Sequence, residues 1–269
     1  MNNLIEKMFG ATTHILFGKK LTGVEEYENW LTRHVTKNHS KKSVVSEKKV
    51  YLLDGKTFET QESNGFSPVY TEAEKCYINI TEAPELGNKK LEISEIENLA
   101  MESIGQEIKK IRYTCFEIRQ GPEYGPENVH IYLWSSNCHE GSYYSYSKNC
   151  AYCFFPRECE NCFGSQQLYQ SSFSIKCYGS TKLIRCFEVA ESNNCRDCYF
   201  CYNSENLEEC MFCFNTKSKK YAVGNVEIGK EAYLKLKRTI IDKIANSLEK
   251  NKTLKWDIYN IGCTEKVNK

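Results

Sequence analysis

Residues 183–218 read LIRCFEVAESNN, CRDCYFCYNSEN and LEECMFCFNTKS, which are three successive segments of twelve residues. Each segment carries a cysteine at its fourth position, and the same spacing continues towards the N-terminus. The resulting column holds six cysteines and one serine: Cys138, Cys150, Cys162, Ser174, Cys186, Cys198 and Cys210. A fixed period of this kind indicates a repeat architecture in which each segment stacks on its neighbours.

Three further columns follow at steps of three residues, and they also hold small or apolar side chains. They are Cys153, Ser165, Cys177, Val189, Cys201 and Cys213; Cys159, Ser171, Leu183, Cys195 and Leu207; and Ser180, Ser192, Ser204 and Thr216. Small inward residues at every third position predict a narrow β-solenoid, whose turns, or rungs, are spaced about 4.8 Å apart by strand pairing. Its interior has room for Ser, Cys, Val and at most Leu.

The segments on either side complete a predicted α+β fold. We expect a mixed α/β domain over 1–134, cysteine-rich solenoid repeats over 135–218, and a cap with a C-terminal helix and basic tail over 219–269. That helix is predicted from about Lys230 to Lys250, because one stripe of the segment is apolar. The stripe consists of Tyr233, Leu236, Ile240, Ile244 and Leu248.

The first half of the chain shows local signals for both helices and strands. Possible capping boxes at Thr22/Glu25 and Ser94/Glu97 predict helices over about 23–37 and up to about 111. Alternating apolar residues and turn signals predict the strands. These are a hairpin over 50–58 with Asp54-Gly55 at its turn, and strands over 76–80, 113–119 and 129–134.

Composition narrows the classes of protein that fit. The 269-residue chain has a net charge of +1, 41% hydrophobic residues and a mean hydropathy of −0.57. Balanced charge excludes a globally polybasic nucleic-acid binder, and no apolar run approaches the roughly 20 residues of a membrane span. The N-terminus lacks the basic-then-apolar layout of a secretory signal. We therefore predict a cytoplasmic protein with reduced cysteines.

The C-terminal part of the chain resembles a family of uncharacterised cysteine-rich tandem-repeat proteins from microbial and large-virus genomes. The resemblance covers about 142–235 and rests on NCRDCYFCYN at 194–203, CMFCF at 210–214, and the later Lys220-Tyr221 and Lys230-Glu231-Ala232-Tyr233. It implies the repeat architecture and no established activity. The rung length also resembles that of insect antifreeze proteins, but their outward Thr-x-Thr ladder is absent here, so ice binding is not predicted.

Five Cys-x-x-Cys pairs make zinc a candidate cofactor. The preferred predicted site is Cys198, Cys201, Cys210 and Cys213, and the second choice is Cys150, Cys153, Cys159 and Cys162. Leu183, Leu207 and Val189 occupy the same columns as cysteines, however, and these side chains cannot bind a metal. Buried structural thiols, which behave as small apolar side chains, are therefore the competing interpretation. Disulfides or an iron–sulfur cluster are the remaining alternatives.

A catalytic or redox thiol needs a nearby base and a lowered pKa. His139 is the one histidine within the repeats, and it adjoins Cys138. Neighbours on a strand point to opposite faces, which argues against a catalytic pair. We therefore predict no catalytic residues and a non-enzymatic protein, with a thiol redox protein as an alternative.

The residues that follow the inward columns are expected to point outward. Many of them are large and apolar: Phe163, Ile175, Phe187, Tyr199 and Met211 after one column, and Phe154, Tyr178, Tyr202 and Phe214 after another. An exposed aromatic face predicts binding of a protein partner or self-association, unless the flanking segments cover it. The alternative is a nucleic-acid-associated zinc protein that contacts phosphates through the basic stretch 217–255.

Overall fold

The structure is a computed structural model that describes residues 3–53, 76–121, 127–129 and 131–263. The chain divides into two compact units, one formed by Met1–Thr36 with Gln120–Lys269 and the other by Lys37–Arg119. The boundaries of these two units differ from those of the three predicted segments, 1–134, 135–218 and 219–269. Within the described residues, no helix is both long enough and apolar enough to cross a membrane.

The predicted β-solenoid is confirmed, with about eight turns of about twelve residues across 118–223. Successive rungs pair in parallel at a spacing of twelve residues, as in Phe187 with Tyr199 and Tyr199 with Met211. The strands from the solenoid are β3 (Ile118–Gln120), β4 (Glu127–Val129), β5 (Ile131–Leu133), β6 (His139–Ser142), β7 (Tyr144–Ser145), β8 (Ala151–Phe154), β9 (Gln166–Tyr169), β10 (Tyr178–Thr181), β11 (Phe187–Ala190), β12 (Tyr199–Tyr202), β13 (Glu205–Met211), β14 (Lys217–Val223) and the antiparallel β15 (Val226–Glu227).

Each corner of a rung is made by a residue with left-handed backbone geometry. In one rung these are Asn194, Asp197, Phe200 and Asn203, with φ angles of 53°, 54°, 52° and 47°. Asn and Asp tolerate this conformation better than most other residues, which explains their frequency at this position. The amide of each corner residue donates to the rung before it, as in Asn194 N to Thr181 O at 3.0 Å.

The interior columns hold Ser and Cys because the inward amides need acceptors. The Ser192 amide donates to Ser180 Oγ at 3.0 Å, and the Ser204 amide donates to Ser192 Oγ at 3.1 Å. In the cysteine column, the Cys150 amide donates to the thiol of Cys138 in the same way. Each hydroxyl or thiol also donates to a carbonyl two residues earlier, as in Ser192 Oγ to Ala190 O. A short side chain that both accepts and donates therefore satisfies a buried backbone group at every rung.

Two helical segments flank the solenoid within the same unit. The C-terminal helix spans Lys230–Asn251, as predicted, and an N-terminal helix, α1, spans Asn3–Phe17. We did not predict α1, whose sequence offers no clear capping signal. The predicted helix over 23–37 is wrong as a continuous element. It is broken into a 3₁₀ turn at Val24–Tyr27, α2 at Glu28–Leu31 and a 3₁₀ turn at Thr32–His34.

The Thr22/Glu25 capping box is also absent, because a different residue caps this segment. Both Glu6 carboxylate oxygens accept from the segment, one from the Gly23 amide at 2.7 Å and the other from the Val24 amide at 2.9 Å. The partner lies a full helix earlier in the sequence, so a local capping pattern could not reveal it. This long-range contact fixes α1 against the turn that follows it.

The second unit has short elements and departs most from prediction. Strand β2 (Lys49–Leu53) pairs in antiparallel fashion with β1 (Asn38–Lys42), whereas Asp54-Gly55 and the predicted second hairpin strand lie outside the described residues. The predicted strand 76–80 is wrong, since that segment makes one bridge at Tyr77 and leads into a 3₁₀ turn at Ile80–Glu82. The predicted helix up to 111 is two short helices. The helices of this unit are α3 (Ala83–Leu86), α4 (Ile93–Glu97) and α5 (Ile104–Ile108), which makes the C-terminal helix α6.

Candidate interaction surface

Two sides of the solenoid differ in what lies against them. We call the side that carries Phe163, Ile175, Phe187, Tyr199 and Met211 the covered face. We call the side that carries the outward residues Ser145, Arg157, Tyr169 and Thr181 with the corner residues Trp134, Tyr146, Glu158 and Gln170 the open face. Both lie in the first compact unit. All five named residues of the covered face are buried, with exposures of 0 to 2%.

Helix α1 covers the first rungs of the covered face with aromatic side chains. Phe9 packs on Phe163 with ring centroids 5.3 Å apart, and Phe17 packs on Phe187 at 4.9 Å, both edge to face. The Tyr199 hydroxyl donates to the Leu16 carbonyl at 2.9 Å. Edge-to-face ring pairs and a hydrogen-bonded buried hydroxyl are typical of a protein core. This face is therefore part of the core and is not a free binding surface.

The segment after α1 approaches the same face closely. Gly164 has a left-handed φ of +59°, and a Cβ placed there would lie 2.7 Å from the Leu31 carbonyl oxygen. Any side chain at this corner would therefore push the N-terminal segment away. Further along the solenoid, α6 contributes Tyr233, which is fully buried, and Lys237, whose Nζ lies 5.1 Å from the Tyr199 ring centroid. The chain's own termini thus complete the covered face.

A buried ion pair lies within this cover. Lys176 and Glu188 are fully buried, and their Nζ and Oε1 atoms are 3.7 Å apart. Lys176 also donates to the Trp30 carbonyl at 3.0 Å, while Glu188 Oε2 accepts from the Ile258 amide at 3.0 Å. Burial raises the pKa of Glu188 to about 7, against the opposing attraction of Lys176. The pair ties the solenoid to both the N-terminal and the C-terminal segments.

Asp257 provides a second link between the two termini. Its Oδ2 atom lies 2.9 Å from His34 Nε2 and 3.3 Å from Arg33 Nη1. Burial acts to raise the pKa of Asp257, but the hydrogen bond from His34 and its charge outweigh burial and hold the pKa below its ordinary value. His34 therefore serves as a structural partner for a buried carboxylate.

The second predicted aromatic column is only partly covered. Phe154 and Tyr178 are each 3% exposed, whereas Tyr202 and Phe214 are half-buried. The ring of Tyr178 packs against His34 and Tyr259, with centroid distances of 6.0 and 5.4 Å. Most of the aromatic surface predicted to meet a partner is thus occupied by the chain itself.

The open face, by contrast, carries aromatic side chains that remain exposed. Trp134 is 60% exposed and Tyr146 is 62% exposed, and they occupy corner positions one rung apart with φ angles of 47° and 48°. Neither ring contacts another aromatic ring among the residues that the structure describes. Bulky side chains are disfavoured in this left-handed conformation, and these two nevertheless stay mostly exposed.

A groove of about 490 Å³ lies beside Tyr146 on the open face. It is lined by Ser145, Tyr146, Arg157, Glu158, Tyr169, Gln170 and Thr181. The Arg157 guanidinium carbon lies 5.3 Å from the Phe155 ring centroid and 6.0 Å from that of Tyr169. Arg157 has no ion pair within the described ranges. A groove with aromatic walls and one available cation has the make-up of a ligand site.

The preferred zinc quartet does come together inside the solenoid. The Cys198 thiol contacts those of Cys201 and Cys210, and the Cys213 thiol contacts the same two. The four sulfurs therefore lie in two adjacent inward columns of two neighbouring rungs. A zinc ion with bonds of about 2.3 Å holds its four sulfurs about 3.8 Å apart. Strand pairing spaces the backbones of adjacent rungs about 4.8 Å apart, so sulfurs from the two rungs would have to turn towards each other to bind one ion.

The second predicted set is less closely connected. The Cys162 thiol contacts those of Cys150 and Cys159, while Cys153 donates to the backbone carbonyls of Ala151 and Cys162. Across the described part of the chain, no group of three or more His, Cys, Asp or Glu side chains has an arrangement that could hold a metal ion. All fifteen cysteines carry free thiols, and the twelve in the repeats are buried. Zinc binding by either set stays a prediction.

The electrostatics of the thiols differ along the interior. Burial raises the pKa of Cys138, Cys153 and Cys177 well above the ordinary value, which keeps these thiols protonated. Towards the C-terminal end of the interior, hydrogen bonds from Cys201 and Cys210 lower the pKa of Cys213 to about 3. His139 lies outside the interior, where its Nδ1 is 3.5 Å from Glu127 Oε2. It therefore faces away from its neighbour Cys138.

The chain matches no family model, no curated protein and no solved structure. The resemblance to cysteine-rich tandem-repeat proteins therefore stays a prediction, and the structure alone carries the functional argument. Sequence reasoning missed the open face, although a signal for it exists. Trp134 and Tyr146 are twelve residues apart and each precedes an inward serine, Ser135 and Ser147.

Proposed function

We propose that this protein is a non-catalytic interaction module whose solenoid presents the open face to a protein partner. The exposed pair of Trp134 and Tyr146 carries the proposal, because both residues are more than half exposed although their backbone is left-handed. Aromatic side chains that combine exposure with a neighbouring groove are typical of binding hot spots. The covered face differs, since α1, α6 and the C-terminal segment already occupy it.

The other charged residues of the rungs support this choice of face. Acidic and basic side chains twelve residues apart form ion pairs elsewhere on the solenoid, as in Glu205 with Lys217 at 2.8 Å and Glu208 with Lys220 at 2.9 Å. Those regions present paired charges to solvent and contribute little to binding. Pairing also occupies two cations of the basic stretch 217–255, which weakens the nucleic-acid alternative.

Paired capture experiments test the proposal. We would immobilise the full-length wild type, a Trp134→Ser/Tyr146→Ser variant and a Trp256→Ser control, which removes an exposed tryptophan elsewhere. We expect the same protein, or a second copy of this chain, to be retained by wild type and control and lost from the double variant. Equal retention by all three, with unchanged unfolding curves, would contradict the proposal.

A second candidate is a zinc-stabilised protein, favoured by the contacts among Cys198, Cys201, Cys210 and Cys213. Metal analysis should be combined with thiol labelling of the native protein. If the interior cysteines are buried structural thiols, the native protein should be labelled at Cys263 and more slowly at Cys76 and Cys115. All fifteen cysteines should be labelled after unfolding. One or two tightly bound zinc ions, released as the interior thiols become labelled, would support the zinc candidate. We expect at most two zinc ions per chain.

Nucleic-acid binding is the remaining alternative. It predicts an affinity that falls steeply with salt concentration, because bound phosphates release counterions. An association that depends on Trp134 and Tyr146 and persists at high salt supports a protein partner. Steep salt dependence that is abolished by neutralising lysines in 217–255 would support the nucleic-acid function.

A further inference from the structure

The groove on the open face has a regular spacing that limits which partner fits it. Tyr146 lies at a corner of one rung, and Tyr169 lies one residue before the equivalent corner two rungs later. Two rungs advance about 9.6 Å along the solenoid axis. One turn of a polyproline II helix contains three residues and advances about 9.3 Å. Side chains three residues apart in such a segment therefore match the separation of these two rungs.

The walls of the groove suit the same kind of segment. Tyrosine and tryptophan rings form the grooves that bind proline rings, and a polyproline II helix has no internal hydrogen bonds, so its carbonyls need donors. Ser145 and Thr181 supply hydroxyls at opposite ends of the groove. Trp134 extends the aromatic surface by one further rung.

The guanidinium of Arg157 favours a peptide that carries a negatively charged side chain. The neighbours of Arg157 one rung away in the same column are Ser145 and Tyr169, neither of which is acidic. The adjacent Glu158 is engaged instead by Gln170, whose Nε2 donates to it at 3.0 Å. Contact with two rings holds the guanidinium in place, which lowers the entropic cost of pairing it with a carboxylate. Arg157 therefore offers a partner for an acidic side chain placed between two prolines, while Glu158 in the same lining is held by Gln170.

We propose that the open face binds an extended, proline-rich peptide segment that carries an aspartate or glutamate. Prolines three residues apart contact Tyr146 and Tyr169, and the acidic side chain pairs with Arg157. This inference rests on the proposed function, because it names the chemistry of the partner at the same surface.

Synthetic peptides test the inference with the full-length protein. The probe is an acetylated octapeptide, Pro-Pro-Asp-Pro-Pro-Asp-Pro-Pro, and its binding is followed by calorimetry and by the fluorescence of the protein's three tryptophans, of which Trp134 lies on the open face. The matched peptides replace Asp by Asn, or replace the whole sequence by Gly and Ser. We expect the acidic proline peptide to bind at least tenfold more tightly than the Gly-Ser peptide. Equal affinity for these two would overturn the inference.

Two variants separate the contribution of charge from that of the rings. Arg157→Gln should weaken the Asp peptide at least fivefold and change affinity for the Asn peptide less than twofold, whereas Tyr146→Ser should weaken both. The control is Arg196→Gln, an exposed arginine outside the open face, which should change neither. If Arg157→Gln leaves the Asp peptide unaffected, the assigned role of Arg157 is wrong and the inference fails.

The capture experiment distinguishes this inference from the proposed function. If no proline peptide binds but partner capture still depends on Trp134 and Tyr146, the inference fails and the interaction module stands. If capture does not depend on them either, both fail. Tighter binding of a twelve-nucleotide oligothymidylate than of any peptide, with steep salt dependence, would overturn the inference in favour of nucleic acid.

Discussion

The covered and open faces of the solenoid are built by the same repeat but differ in burial. Flanking segments of the chain pack on the covered face, whereas aromatic side chains of the open face stay exposed. Both present large side chains outward at intervals of twelve residues, as Phe187 and Tyr199 do on one and Trp134 and Tyr146 do on the other. On the covered face, Phe17 packs against Phe187 and α6 lies over Tyr199. On the open face, Trp134 and Tyr146 each remain more than half exposed. Periodicity therefore determines the direction of a side chain, while flanking segments determine whether it is core or surface.

The first prediction tests whether the packing of α1 on the covered face stabilises the fold. Phe9 is fully buried against Phe163 and Tyr27, so Phe9→Ala should lower the free energy of unfolding by about 3–5 kcal/mol. The matched control is Ile15→Ala on the same helix, where the side chain is 42% exposed and the expected change is within about 0.5 kcal/mol. Chemical denaturation measures both. Similar small losses would mean that α1 does not form part of the core.

The second prediction concerns how the stability of the covered face depends on pH, through the buried Glu188. The pKa of Glu188 is raised to about 7 in the folded protein, by burial first, while Lys176, Asp257 and Arg33 act on it in opposing directions. The stability contributed by the neutral carboxyl is thus present below about pH 4.5 and is lost as the pH rises to about 7. The loss should be on the order of 3 kcal/mol.

Glu188→Gln removes this titration, so the difference in unfolding free energy between wild type and variant should change across that pH window. Glu158→Gln, on the open face, is the control and should give a curve parallel to wild type. Parallel curves for both variants would show that Glu188 does not titrate as its burial requires.

The third prediction concerns the interior that the two faces share. Ser180 Oγ accepts from the Ser192 amide at 3.0 Å and donates to the Tyr178 carbonyl at 2.7 Å. Ser180→Ala leaves that buried amide without its acceptor and should cost about 1–3 kcal/mol. Ser180→Cys should restore much of the loss, because cysteine thiols accept inward amides elsewhere in the solenoid. Thr181→Ala, on the open face, should have a smaller effect. Equal losses for Ala and Cys at 180 would contradict the acceptor role.

The sequence predicted the features that depend on local periodicity. The twelve-residue rungs, the inward column of Cys186, Cys198 and Cys210, and helix α6 all follow from repeated spacing of small or apolar residues. The contact among the four cysteines of the preferred zinc site also follows from the period, because residues twelve apart lie next to each other on adjacent rungs. These features need only short-range rules.

The rest depends on contacts between residues far apart in the sequence. Nothing near Phe163 indicates that Phe9 will cover it. The twelve-residue period places Lys176 and Glu188 on adjacent rungs, but nothing near them indicates that Trp30 will bury them. Most of the outward aromatic ladder that was predicted to meet a partner is therefore covered by the chain itself. The left-handed corners were also hard to predict, since Phe200 and Phe212 occupy them as well as Asn194.

One pair of double variants tests the central distinction between the faces most directly. Tyr199→Ser/Met211→Ser removes two buried side chains of the covered face, and Trp134→Ser/Tyr146→Ser removes the exposed pair of the open face. Equilibrium unfolding should show a loss of at least about 4 kcal/mol for the first variant and less than about 1 kcal/mol for the second. Equal losses, or a stable first variant, would contradict the account, because the aromatic ladder that the chain covers would then contribute no more to the fold than the one it leaves open.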